Sequence, residues 1–308
     1  MSVLEQATVD SIVMPMSRVN RAYASLDPLS SPALLSRLYY DYAGEETSGA
    51  YLYHLSNLAR NPSLPSDVFS ALFAKLMGYE SSEPKQAPQL AALSCFFVSP
   101  LITFEQVLSI VRYANELNHF VSVEELETCK TVIEIFDKIM IFATGRHRIF
   151  FSNLLCSPMV SAEDFISRVR NIAFQNKLIY STVYADYRFV PNAFEYVFAS
   201  KFVDSENARN FDRAVGIVTN PHADSVFLAE LFANLEGHIK IEELAYGNLN
   251  CPLELSAGYH TDNMESYKWR PSYLLELETR VNQRLTLTAG EGPWEDLPLS
   301  WKLKMIAE

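Results

Sequence analysis

The sequence predicts an all-α chain, an α-solenoid of roughly seven to eight helical repeats followed by a short non-repeat C-terminal tail. Three observations carry that expectation. A small polar residue followed by proline recurs in five aligned segments, a helix-capping residue stands three positions past nearly every one of those prolines, and apolar residues then return at helical spacing. Clean apolar–polar alternation, the mark of a half-buried strand, is rare.

The aligned segments are DPLSSPALLSRLY from Asp27, NPSLPSDVFSALF from Asn61, SPLITFEQVLSIV from Ser99, SPMVSAEDFISRV from Ser157 and NPHADSVFLAELF from Asn220. Proline disfavours helix in the residue before it, so each dipeptide ends one helix and turns the chain into the next. Three residues on stand Ser31, Pro65, Thr103, Ser161 and Asp224. All but Pro65 carry a side-chain oxygen able to accept from the free N–H groups of a first turn, and Pro65 suits a first-turn position. Seven past the proline come Leu35, Phe69, Val107, Phe165 and Leu228; eleven past it come Tyr39, Phe73, Val111, Val169 and Phe232. Position ten adds Leu38, Leu72, Ile110 and Leu231, with Arg168 the departure, completing one apolar stripe per helix. Upstream, the pairs Leu58–Ala59, Phe96–Phe97, Leu154–Leu155 and Ile217–Val218 mark the end of a preceding helix, and Ala24–Ser25 is the weak member.

The prolines Pro28, Pro62, Pro100, Pro158 and Pro221 are separated by 34, 38, 58 and 63 residues. Each long gap holds a degenerate unit: HFVSVEELETCKTVIEIF with Ser122 as cap, and RFVPNAFEYVFASKF with Pro191 at the cap position. NLNCPLELSAGY at Asn248 keeps the asparagine and the proline and loses most of the stripe. The expected division is an N-terminal cap over 1–23, a solenoid over 24–280 and a capping or docking tail over 281–308, in which Trp294, Trp301 and Leu303 cover the last repeat. The polar stretch 78–88 is expected to be a loop between units.

The NPxxP…L pattern resembles the variant leucine-rich repeat and, more loosely, HEAT-type repeats of bacterial and bacteriophage proteins. The resemblance spans about residues 24 to 260 and implies short helices stacked in a curved superhelix. This chain departs from it in its longer repeats and in lacking the clustered cysteines that hold an iron–sulfur module in one member of that family. The resemblance therefore implies an architecture and no cofactor.

Composition bounds the partners. The net charge of −12 and pI near 5.0 repel phosphate backbones and anionic lipid, which disfavours nucleic acid as a partner. Glu5 and Asp10 interrupt the opening residues where a secretion signal needs a basic start and an apolar run, so none is expected. The most apolar window, AALSCFFVSPLI, is too short to span a bilayer. Cys95, Cys129, Cys156 and Cys251 are widely spaced and read as buried, reduced thiols, which places the chain in the cytoplasm, or with a virion if its origin is a phage.

No nucleophile, base and orienting residue can be assembled from the motifs. The six histidines, His54, His119, His147, His222, His238 and His260, show no metal-ligand spacing, and phosphate loops, a G-x-S-x-G elbow and H-E-x-x-H are missing. The acidic pairs Glu124–Glu125, Glu163–Asp164 and Glu242–Glu243 fall in expected first turns, where they complement the helix dipole. TGRHRIF gathers Arg146, His147 and Arg148, read as cations at a helix C-terminus or as a contact for phosphate or acidic peptide. YSTVYADYRF sets Tyr180, Tyr184 and Tyr187 on one helical face ahead of Arg188, and RLYYDY holds Tyr39, Tyr40 and Tyr42. Such tyrosines serve either as core or, facing outward, as interface anchors. The candidate protein-binding residues are accordingly Tyr40, Arg146, Arg148, Tyr184, Tyr187 and Arg188, with no catalytic, cofactor or metal residue.

The expected function is a non-enzymatic binding or structural scaffold for another protein, in the setting of a phage accessory or virion component. The alternatives are a nucleic-acid-binding helical-repeat module and a hydrolase built on one of the acidic pairs.

Overall fold

The computed structural model describes residues 25, 30–44, 49–78, 86–171, 173–174, 177–193, 195–196, 208–220 and 222–234. The expected cap over 1–23, the repeat at Asn248, most of the 78–88 loop and the tail over 281–308 lie outside these residues. Among the described residues there are twelve α-helices of defined bounds and no strand: this part of the chain is helical, as expected.

The chain divides into two compact units, Met1–Leu178 and Ile179–Glu308. The first contains α1 (Pro32–Gly44), α2 (Gly49–Arg60), α3 (Ser66–Met77), α4 (Gln86–Ser94) with a 3₁₀ extension (Cys95–Val98), α5 (Phe104–Asn118), α6 (Val123–Glu127), α7 (Val132–Met140), a 3₁₀ turn (Gly145–His147), α8 (Arg148–Leu155) and α9 (Ala162–Val169). The second contains α10 (Tyr180–Val183), α11 (Ala208–Val218) and α12 (Ser225–Asn234).

The proline turns share one construction. In the four that are described, the residue before proline gives its N–H to the carbonyl three residues back, namely Asn61 to Leu58, Ser99 to Phe96, Ser157 to Leu154 and Asn220 to Ile217, at 3.0 to 3.2 Å. Its side-chain oxygen then accepts from the N–H two residues ahead, with Ser63 to Asn61 at 2.9 Å, Leu101 to Ser99 at 3.3 Å, Met159 to Ser157 at 3.4 Å and His222 to Asn220 at 2.6 Å. Its carbonyl accepts from the N–H three ahead, belonging to Leu64, Ile102, Val160 and Ala223, and all four of those side chains are buried. Asn and Ser make this turn because a short polar side chain can satisfy nearby backbone N–H groups in place of a helical carbonyl. The turn residue itself is buried in all four cases, so it is a core position and not only a helix stop.

The caps fall where expected. Ser31 accepts from Leu34 N–H at 3.2 Å, Ser161 from Asp164 N–H at 3.1 Å, and Asp224 from Val226 and Phe227 N–H at 2.8 and 3.0 Å. Thr103 with Gln106, and Ser122 with Glu125, form reciprocal capping boxes. Pro65 differs from the expectation: it occupies the cap position itself, at φ −59° and ψ 143°, and the helix begins at Ser66. A ring that locks φ near that value sets the entry angle without donating or accepting a side-chain bond. Loss of the cap oxygen in Ser161→Ala or Thr103→Ala is expected to cost about 1 kcal/mol of stability, read as a lower denaturation midpoint at unchanged slope. Unchanged midpoints in both would show that these oxygens do not hold their helices.

The stripe faces inward. Leu35, Phe69, Val107, Phe165 and Leu228 are buried, as are Leu38, Leu72 and Ile110, and so are the upstream pairs from Leu58–Ala59 to Ile217–Val218. Arg168 departs from the stripe with a compensating partner: its Nη2 and Nε donate to Asp137 on α7 at 2.7 and 3.2 Å, and its Nη1 donates to Asp164 at 3.0 Å. The hydrogen bond to Asp137 raises the affinity of that guanidinium for its proton, burial opposes it, and the Asp137 and Asp164 charges reinforce it.

In the first unit α2 packs on α4 and its 3₁₀ extension, and these pack on α8. Asn153 of α8 donates from Nδ2 to Ser94 Oγ at 2.9 Å and accepts from Arg60 at 3.4 Å, joining all three helices. No helix of residues 119–143 therefore separates α4 from α8. The segment read as a degenerate unit capped by Ser122 supplies a five-residue α6 and then α7, which has its own cap at Thr131. A second polar relay runs from Tyr113 Oη of α5 to Gln89 Oε1 of α4 at 2.8 Å, and from Gln89 Nε2 to Leu76 O of α3 at 3.2 Å.

In the second unit α10 packs along α11. The first N–H groups of this four-residue helix find no side-chain cap of their own, and Asp212 of α11 accepts from Tyr180 and Ser181 N–H at 2.7 and 3.2 Å. Arg213 lies over the Tyr180 ring, 4.6 Å from its centroid. Two of the three bonds of this turn reappear without proline at Asp186, which accepts from Arg188 N–H on its carboxylate and from Phe189 N–H on its carbonyl, both at 2.9 Å. Tyr187 thus stands in the proline position, 34 residues before Pro221, the same interval as from Pro28 to Pro62. The cap of this degenerate unit is Asn192, one residue past the expected Pro191. It accepts from Glu195 N–H at 3.2 Å while Glu195 accepts from Asn192 N–H at 2.7 Å.

Candidate functional site

The candidate binding residues whose side chains are described differ in exposure and in what they contact. Tyr40 projects from α1 with 63% of its surface exposed, its ring edge-on to buried Tyr39 at 5.3 Å. The side chains of Arg146 and Tyr42 lie outside the described residues. Arg148 is the first residue of α8, so the helix C-terminus expected around TGRHRIF is instead a helix start. Its guanidinium is spent on the Leu178 carbonyl, to which Nε donates at 3.0 Å and Nη2 donates as well.

The tyrosine face is divided by a helix end. α10 stops at Val183, so Tyr180 and Tyr184 turn inward while Tyr187 sits on the following turn with 65% of its surface exposed. Tyr184 is 7% exposed and stacks on Phe189 with centroids 4.3 Å apart and planes 8° from parallel. Arg188 is 9% exposed and pairs with Asp186 through Nη2 to Oδ2 at 2.7 Å and Nε to Oδ1 at 2.8 Å. Tyr184 and Arg188 are therefore interior groups: of the two roles the sequence left open to this stripe, these two take the core one. A charge at that depth is retained because a carboxylate two residues away neutralises it and fixes the turn. Tyr184→Ala is expected to lower stability by about 3 kcal/mol through lost packing, whereas Tyr187→Ala should leave the melting temperature within about 1 °C, a change of a few tenths of a kcal/mol. Equal effects of the two substitutions would overturn this division of the tyrosines.

Other exposed apolar side chains went unnoticed in the sequence: Ile141 and Phe142 just past α7, Ile149 on α8, Met159 and Val190 in proline-type turns, and Val226 in the first turn of α12. Periodicity has no means of flagging them, because most stand in turns where helical spacing assigns no face.

Several chemistry-bearing groups among the described residues have structural occupations. His147 is buried between the edges of Phe120 and Phe151, with Nε2 2.9 Å from Asn118 Oδ1 and Nδ1 3.1 Å from Thr144 Oγ1. Asn118 commits its amide nitrogen to the Ala114 carbonyl, so its oxygen faces the ring; Nε2 then donates to it, leaving Nδ1 as the acceptor for Thr144 N–H at 3.4 Å. His119 is exposed and closes α5 in the left-handed region at φ 51°. His147 is thus a buried histidine with both ring nitrogens in hydrogen-bond range of a partner, and not a ligand awaiting a metal. Glu124–Glu125 and Glu163–Asp164 stand in the first turns of α6 and α9, where the helix dipole favours them; Glu242–Glu243 lie outside the described residues.

Cys95, Cys129 and Cys156 are buried thiols that form no disulfide. Burial pushes the Cys129 thiol up, with Glu134 adding to the rise while Lys138 opposes it by charge and hydrogen bonding, so its reactive thiolate form is disfavoured. Among the described residues no group of three or more His, Cys, Asp or Glu is placed to hold a metal ion, and no helix is long and apolar enough to cross a membrane. No protein-family model, characterised protein or solved structure matches this chain.

Proposed function

We propose that this chain is a non-enzymatic scaffold whose stacked helix pairs, in an α-solenoid of the variant leucine-rich or HEAT-like kind, present an extended surface to another protein. The observation that carries this reading is a link between neighbouring turns, made each time by residues 36 positions apart. Asn61 Nδ2 donates to the Ser25 carbonyl at 2.8 Å, and Asn220 Nδ2 donates to the Tyr184 carbonyl. In both, the acceptor lies three residues before the proline position of the preceding unit, Pro28 or Tyr187. A contact repeated in the same register is what joins neighbouring units in a linear stack, and stacks of like units expose long continuous surfaces. The interior groups that carry reactive chemistry elsewhere are occupied here by turns, caps and ion pairs. The inference from architecture to protein binding is one of association.

The experiment is affinity capture from the native host with the full chain as bait, then measurement of the captured protein's affinity for Tyr187→Ala and Tyr40→Ala chains beside their melting temperatures. A loss of affinity of about tenfold in at least one, at unchanged melting temperature, is expected for an exposed aromatic anchor. Capture of no protein, or binding only of DNA with steep salt dependence, defeats the proposal.

A further inference from the structure

We draw no further inference here: the strongest candidate, the exposed apolar side chains Ile141, Phe142 and Ile149 around the turn between α7 and α8, carries nothing because nothing in the structure shows what covers it.

Discussion

Gly216→Ala is expected to destabilise the second unit by about 2 kcal/mol, although alanine is the better helix former. Gly216 lies within α11 where that helix meets α10, and a Cβ added there stands 2.5 Å from the Tyr180 carbonyl oxygen and 2.7 Å from Tyr184 Cβ. Neither atom can move aside by rotating a side chain, so relief requires α10 and α11 to separate. Overpacking of this kind costs about 1 to 3 kcal/mol. The intrinsic gain from replacing a helical glycine by alanine is only about 1 kcal/mol, and backbone contact places the cost at or beyond the top of its range. Separation also pulls Asp212 away from the Tyr180 and Ser181 N–H groups that it caps. The measurement is thermal melting together with hydrogen exchange of the α10 and α11 amides. Gly145→Ala is the control: a Cβ there meets nothing within 4 Å, and its effect should stay within about 0.5 kcal/mol. A Gly216→Ala chain as stable as the parent would show that α10 and α11 do not approach this closely.

Asn220→Asp is expected to be the more damaging of the two, by 3 kcal/mol or more, despite near-identity of shape. Asn220 is fully buried, and its amide nitrogen donates to the carbonyls of Tyr184, Asp186 and Phe189, the last two at 3.2 and 2.7 Å. The aspartate keeps the oxygen that accepts from His222 N–H. It replaces the donor with a carboxylate oxygen facing three carbonyls, which removes their hydrogen bonds from the amide and sets a buried charge against the negative ends of three dipoles. Burial and the surrounding carbonyls raise the folded-state pKa of that carboxyl above its unfolded value. The folded state then binds the proton more tightly, so the variant's stability relative to the parent should rise as pH falls and be lost again as pH rises through the folded-state value. Asn220→Ala has no group to titrate and should show about 2 kcal/mol of loss at every pH. The check is the melting temperature of all three chains across an acidic-to-neutral series. A variant Asp with no pH-dependent recovery would contradict the proposed amide contacts.

The helices, their starts and their inward faces were legible in the sequence because their causes are local. Ser31, Thr103, Ser161 and Asp224 cap backbone groups two or three residues ahead, and Leu35, Val107 and Phe165 recur with the helical period, so a few residues of context determine both. The turns were legible as interruptions: proline announces where a helix cannot continue. Their other half was hidden, since the burial of Asn61, Ser99, Ser157 and Asn220 arises from neighbouring helices. Proline does not mark Asp186–Tyr187, where side chain and backbone make two of the turn's bonds without the ring; the 34-residue interval to Pro221 is the signal the sequence holds for it.

Which tyrosine is core was decided by tertiary structure alone. Tyr184 and Tyr187 share a helical face only if α10 continues, and it ends at Val183, where Asp186 takes up the backbone and Asn220 reaches in from 34 to 36 residues away. The same holds for Arg148, whose target is the carbonyl of Leu178, and for Gly216, required because the backbone at Tyr180 comes within contact distance. The sequence by itself determined what each residue does for its own helix; packing decided what that helix does for the next. The physical reason is range: caps and periodicity act within one or two turns, while burial, ion pairing and close backbone approach depend on distances between segments that no local pattern encodes.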